Sequence, residues 1–208
     1  MSIRISIPSP NQLSCSQLNQ SNGGLTFSQR QTLQAVGPTK SGQITSYRTG
    51  DDGDFEYGRG ASFTGLTCSN PFNNTNRFTD QSGGQTYSDN IIVDWLTGLM
   101  WYRVTSSGGW NIAIDTSIGA TTGGYTDWFL PNLPQLAGIC NYSVSIMTNY
   151  APFNIDITGT ALWSSTTQPS ATANAILAQP NNALVGVGKG NSRLYIYCRY
   201  FALSDMGL

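Results

Sequence analysis

Histidine is absent from all 208 residues of the chain. Imidazole is the commonest general base and metal ligand near neutral pH, so Ser-His-Asp and Cys-His mechanisms are excluded. Glutamate occurs only at Glu56, and a paired-carboxylate hydrolase would have to run almost wholly on aspartates. Charge of either sign is scarce: 10% of residues are charged and the net charge is −1. There is no basic field to hold phosphates, which argues against nucleic acid as a partner. No apolar run approaches the length of a membrane span. The four cysteines, Cys15, Cys68, Cys140 and Cys198, include no C-x-x-C pair of the kind that holds zinc.

What the chain does have is glycine, serine, threonine and asparagine in abundance, a balance that suits strands joined by tight turns over long exposed helices. Its length allows one domain with an extension and a good core. Met1 to Pro8 alternates polar with apolar and stops at proline, which reads as a strand with Ile3, Ile5 and Ile7 on one face, not as a signal peptide. Residues 1–40 form an N-terminal arm that either attaches the protein to neighbours or adds a strand to the main sheet.

Further on, residues 86–93 and 99–104 read as strands separated by a turn at Thr97-Gly98. Trp110, Ile112, Ala113, Ile114 and Ile118 give an imperfect helical spacing ended by Gly119. A second helix is expected to begin at Pro131, with Leu133, Leu136, Ala137 and Cys140 on one side. Residues 141–159 lack a clear period and read as a long irregular loop. Short strands follow at 161–165, 173–179, 184–188 and 193–201, with turns at Asn181-Asn182 and Lys189-Gly190-Asn191. Along the last strand Leu194, Ile196 and Cys198 alternate with Tyr195, Tyr197 and Arg199, and this strand is expected to pair with an opening one.

Four segments stand in fixed order: Asp94-Trp95-Leu96-Thr97-Gly98-Leu99-Met100-Trp101, Gly124-Tyr125-Thr126-Asp127-Trp128-Phe129-Leu130-Pro131, Leu162-Trp163-Ser164-Ser165-Thr166 and Tyr197-Cys198-Arg199-Tyr200. The series resembles the Lcl C-terminal domain family of bacteria and phages, whose pattern runs TGLMW, GYtDWRLP, WSST and vRCVR. A lead-in at Ser41 to Gly60 and Arg77-Phe78-Thr79-Asp80 extend the likeness over roughly three quarters of the chain, from about residue 40 to 201. The resemblance implies an α+β, C-type-lectin-like fold: a mixed sheet with two helices and a long loop, occupying residues 41–208 beyond the arm. It also implies display and binding in place of chemistry, since such domains sit on adhesins, surface proteins and phage structural proteins. Lectin-like folds often place a bridged cysteine where Cys198 falls; a buried free thiol is the alternative.

Where the family has DWRLP this chain has Phe129, and the family's glutamate on the second helix appears as Gln135. Two such losses together suggest that one paired interaction was replaced as a unit. Trp101, Trp128 and Trp163 are expected to fill the core, Asp127 to favour the helix start that follows it, and Arg199 to serve structure. Trp95 and Trp110 are the better surface candidates.

Asp51, Asp52 and Asp54 around Gly53 form the only dense oxygen cluster, a candidate Ca²⁺ loop or a solvated turn, without EF-hand spacing. Candidate contact residues are Tyr142 and Tyr150 in the long loop and Asn181, Asn182 and Asn191 at hairpin tips.

These readings together point to a non-enzymatic phage virion protein on the particle surface. Its arm would hold other virion proteins, and its lectin-like domain would meet a host-surface glycan or receptor as a homo-oligomer, a trimer first. The alternatives are a bacterial surface or secreted adhesin binding polysaccharide, and a purely structural capsid or tail decoration protein. Formylglycine-generating enzymes share a related fold, but no paired reactive cysteines or copper-binding arrangement supports catalysis here.

Overall fold

The computed structural model describes residues 45–46, 49, 70–72, 76–141, 148–149, 152–155, 161–178 and 185–206. Among these residues nine strands and two helices follow in order: β1 (Phe78–Thr79), β2 (Ile91–Asp94), β3 (Leu99–Gly108), α1 (Trp110–Ile118), α2 (Leu133–Ala137), β4 (Cys140–Asn141), β5 (Thr148–Asn149), β6 (Leu162–Thr167), β7 (Asn174–Ala178), β8 (Gly186–Gly188) and β9 (Arg193–Tyr200). Short 3-10 turns lie at Thr122–Gly124 and Leu203–Met206. Seven strands make one mixed sheet in the order β1-β2-β3-β9-β6-β7-β8, while β4 and β5 pair separately. The architecture is therefore α+β, a mixed sheet with two helices.

The last strand lies beside an early one, as its alternation predicted. β9 runs antiparallel to β3, with Trp101 opposite Cys198 and Leu99 opposite Tyr200, across a bulge between Tyr102 and Ser106. Two segments share its other edge. β6 meets it in parallel at Leu162 and Leu194, and Phe129 exchanges backbone hydrogen bonds with Cys198 at 2.8 and 3.0 Å. The third and fourth motifs and the middle of the second are thus stitched to one strand.

Both faces of this sheet are covered. On one, Ile92, Leu99, Trp101, Leu162, Ile196 and Cys198 pack with Leu136 of α2 and with Phe153 and Ile155. On the other, Ile91, Val93, Met100 and Tyr197 pack with Trp95, Trp128 and Phe201, and Trp163, Leu177 and Tyr195 pack with Ala113 of α1. Period-two alternation along β9 therefore sends successive side chains into different cores, not into core and solvent.

Several boundaries differ from expectation for local reasons. The strand expected from residue 86 begins only at Ile91, because Tyr87 (φ 51°) and Asn90 (φ 61°) adopt left-handed backbone that breaks the extended run. Gly98 (φ 74°) supplies the expected turn between β2 and β3, with its N–H donating to Asp94 O at 2.9 Å.

The second helix starts at Leu133, not at Pro131. The carbonyl of Pro131 is still engaged sideways, accepting from Ser165 N at 2.9 Å, and the true start is a capping box. Asn132 Oδ1 accepts from Gln135 N at 2.9 Å, and Gln135 Oε1 accepts from Asn132 N at 2.8 Å. In α1 the spacing placed the helix correctly but not its inner face. Ala113 and Ser117 point inward while Ile112 and Ile118 are exposed, Ser117 being buried because its hydroxyl donates to Ala113 O.

Candidate functional site

The motif tryptophans belong to the interior. Trp101, Trp128 and Trp163 are at most 2% exposed. Trp163 Nε1 donates to Gly108 O at 2.9 Å and Trp128 Nε1 to Thr122 O at 3.1 Å, whereas the Trp101 indole N–H has no partner among the described residues. Trp95, expected at the surface, is buried as well. Its Nε1 donates to Thr79 Oγ1 at 2.8 Å, and Phe72 and Phe201 meet its ring edge-on. The turn at Gly98 folds this tryptophan back under β1, a tertiary effect with no local sequence signal. Trp110 is half-buried, giving its indole N–H to Ser164 O, while the Lys189 ammonium stands 4.0 Å above the ring.

The motif charges are likewise committed internally. Asp127 does not serve a helix start: α2 begins six residues later. Its carboxylate takes a two-pronged bond from Arg199, Nε to Oδ1 at 2.6 Å and Nη2 to Oδ2 at 3.0 Å. That hydrogen bonding holds the Asp127 carboxyl below the usual aspartate range, against a smaller opposing effect of burial. Arg199 also donates to Asp205 Oδ2 at 2.7 Å and lies 4.1 Å from the Tyr125 ring centre. Tyr125 in turn donates to Asp205 O and accepts from Gln81. One guanidinium thereby locks the second motif, the last strand and the closing 3-10 turn together.

A second, fully buried pair joins Arg77 and Asp94 through Nε–Oδ1 at 2.8 Å and Nη2–Oδ2 at 2.7 Å, with side-chain exposures of 2% and 0%. Arg77 also donates to Gly138 O at the end of α2, and Asp94 accepts from Thr97 Oγ1 and Leu96 N. Sequence reasoning quoted both residues in motifs without pairing them. The available signal was an aspartate closing the otherwise apolar run Ile91-Ile92-Val93.

Of the expected contact residues, Tyr142, Tyr150, Asn181 and Asn182 lie outside the described residues, as do Asp51, Asp52 and Asp54 and the arm at 1–40. Asn191 is exposed at the β8–β9 turn, where its Nδ2 donates to Gly188 O at 2.9 Å. β8 (Gly186–Gly188) pairs with β7 and not with β9, so the turn at Asn191 links two separated strands and is not the hairpin tip that was expected. Asp80 organises another loop, accepting from Ser82, Gly84 and Thr86. Partial burial raises its carboxyl, but those bonds outweigh burial and leave it below the usual value. Among the described residues no three His, Cys, Asp or Glu side chains gather in a way that could hold a metal ion. None of the described helices is long and apolar enough to cross a membrane.

Cys198 is a buried free thiol, and Cys140 is buried with its Sγ donating to Leu136 O at 3.2 Å. Burial pushes the Cys140 thiol up to about 12 and raises Cys198 well above the ordinary value, so neither is a nucleophile near neutrality.

Among the described residues one aromatic side chain is exposed. Tyr200, 63% exposed, leans on the half-buried ring of Phe129 with centres 5.6 Å apart and planes at 35°. Gln135 Nε2 donates to the Tyr200 hydroxyl at 3.2 Å. Phe129 and Gln135, two of the positions at which the chain departs from the wording of the motifs, thus converge on one tyrosine.

A family model described as the Lcl C-terminal domain matches residues 90–199, a little over half of the chain. No curated protein matches it.

Proposed function

On the premise that the chain belongs to the Lcl C-terminal domain family, we propose that it is a non-enzymatic structural protein of a phage virion that presents a lectin-like domain to the host surface. The observation that carries this reading is where the shared motifs spend their chemistry. Trp101, Trp128 and Trp163 are interior, and Asp94, Asp127 and Arg199 are tied into ion pairs. Motifs used up in this way build a scaffold, and recognition falls to the exposed, nearly uncharged remainder. The C-type-lectin-like assignment draws support from β9 lying beside β3, which brings the two ends of residues 99–200 together, and from two helices on a mixed sheet.

In this reading residues 41–208 form the displayed domain, and residues 1–40 are an arm that fastens it to other virion proteins. The ligand is a host-surface glycan. Weak single contacts are multiplied by a homo-oligomer, a trimer first, and by many copies on the particle. Calcium at Asp51, Asp52 and Asp54 is an optional part of the same proposal.

Purified particles provide the test. Detection of the chain in virions by mass spectrometry, with labelling by antibody on intact particles, supports the reading. Detection only in bacterial envelopes or culture supernatant replaces it with the adhesin alternative. A chain that is present in virions, yet binds neither a glycan array nor host cells when multimerised, is a decoration protein without a receptor role.

A further inference from the structure

We propose that Tyr200 and Phe129, with the Asn132–Gln135 capping box beside them, form a binding subsite for a neutral sugar ring. This rests on the glycan reading above and deepens it by naming a place and a ligand class. Sugar rings expose patches of C–H that pack on aromatic faces, while their hydroxyls need donors and acceptors at the rim. Tyr200 offers the face: 63% of it is open, more than any other large apolar or aromatic side chain among the described residues.

The ring is also held still. Phe129 backs it at 5.6 Å, and the backbone of Phe129 is bonded to β9 through Cys198. Gln135 grips the hydroxyl from the side, its own Oε1 anchored to Asn132 N at 2.8 Å. An exposed tyrosine tethered at both its face and its hydroxyl surrenders little conformational freedom when a ligand lands, which is what a weak site needs.

The rim chemistry selects the ligand. Because the Tyr200 oxygen accepts from Gln135, its own proton remains to be given to a sugar oxygen. Asn132 is exposed with its Oδ1 occupied by the helix cap, and its Nδ2 donors have no partner among the described residues. The rim side chains of Asn132, Gln135 and Tyr200 are two amides and a phenol, while Arg199 and its partner Asp127 lie on the opposite side of β9. The subsite therefore offers hydrogen bonds without an ion-pair partner, which favours uncharged hexoses or N-acetylhexosamines over sulfated or carboxylated sugars.

The test uses the full chain with glucose, galactose, mannose and N-acetylglucosamine, free and as short oligosaccharides, read by saturation-transfer NMR. Sedimentation and thermal melts run in parallel. The expectation is transfer to ring C–H protons from at least one of these sugars. Tyr200→Ala should weaken that binding about tenfold or more with unchanged melting, and Tyr200→Phe should weaken it less.

Neutral-sugar binding that is equal in wild type and Tyr200→Ala overturns this site while leaving the glycan reading intact. Binding of sulfated polysaccharide alone overturns the neutral class. Binding of no glycan in any format overturns both. A loss of self-association in Tyr200→Ala would assign the patch to contact between copies of the chain and overturn the sugar site.

Discussion

Breaking the Arg77–Asp94 pair is the sharpest way to test how this domain is held together. Asp94→Asn keeps the shape of the side chain and an acceptor for Thr97, but it leaves the Arg77 guanidinium charged and 2% exposed with its counter-ion gone. Removing one partner of a buried pair costs about 3–5 kcal/mol, most of it from the stranded charge. For a chain of this size that corresponds to a fall in Tm of about 6–20 °C. Arg77→Met should cost a similar amount, since it strands the Asp94 carboxylate and removes the donor to Gly138 O. The double variant Arg77→Met/Asp94→Leu removes both charges, so its cost should fall short of the sum of the singles by about 2–3 kcal/mol. It should not return to wild type, because the Gly138 carbonyl still loses its Arg77 donor. Urea unfolding followed by tryptophan fluorescence reads this directly, with Trp95 one residue from Asp94 and buried. Single variants costing less than about 1 kcal/mol, or a double variant equal to the sum, would refute the reasoning.

Asp127→Asn should cost at most about 1 kcal/mol at neutral pH, because the carboxylate is more than half exposed. The Asp127 carboxyl is depressed in the fold, so its contribution is present above the ordinary value of 3.8 and lost as pH falls through the lower folded value. The Tm gap between wild type and Asp127→Asn should therefore be flat down to about pH 5 and close below it; a gap that widens on acidification refutes this assignment. Cys140 and Cys198 should resist iodoacetamide at pH 8 in the native protein and react after denaturation, as read by peptide mapping; rapid native labelling of either would contradict the packing. Trp163→Phe should be more destabilising than Trp101→Phe by about 1–3 kcal/mol, because only the former leaves a backbone acceptor, Gly108 O, without its donor. Equal costs in urea titrations would count against that hydrogen bond.

What could be read from the linear chain was whatever depends on neighbours in sequence. The β9 alternation, the α1 position and the turn at Gly98 follow from period and from glycine, and each is where it was expected. What could not be read depends on contacts over long separations. Asp127 and Arg199 are 72 residues apart and Arg77 and Asp94 are 17 apart, so no local pattern announces either bond. Pro131 looked like a helix start because proline suits a first turn, but Ser165 claimed its carbonyl and the capping box at Asn132 and Gln135 claimed the start. Trp95 looked free because it stood outside the shared tryptophan slots, yet burial is decided by which way a turn folds. Of the candidate site, only the departures at Phe129 and Gln135 were visible as oddities. Their meeting at Tyr200 required the β9 register.

That meeting bears on how one scaffold can serve many surfaces. Arg199 must sit on β9 to reach Asp127 and Asp205, and this forces its neighbour Tyr200 onto the opposite side of the strand. The second motif runs along the same edge, so Trp128 turns inward while Phe129, the next residue, turns toward Tyr200. Each locked motif residue therefore carries beside it a residue that the lock positions but does not constrain chemically. Substitutions at 129, 135 and 200 can then alter what the surface recognises without disturbing the three ion pairs or the tryptophan core. By the same reasoning Tyr200→Ala should leave folding intact while changing binding, whereas Arg199→Ala should destabilise the fold by stranding the carboxylate of Asp205, which is 19% exposed.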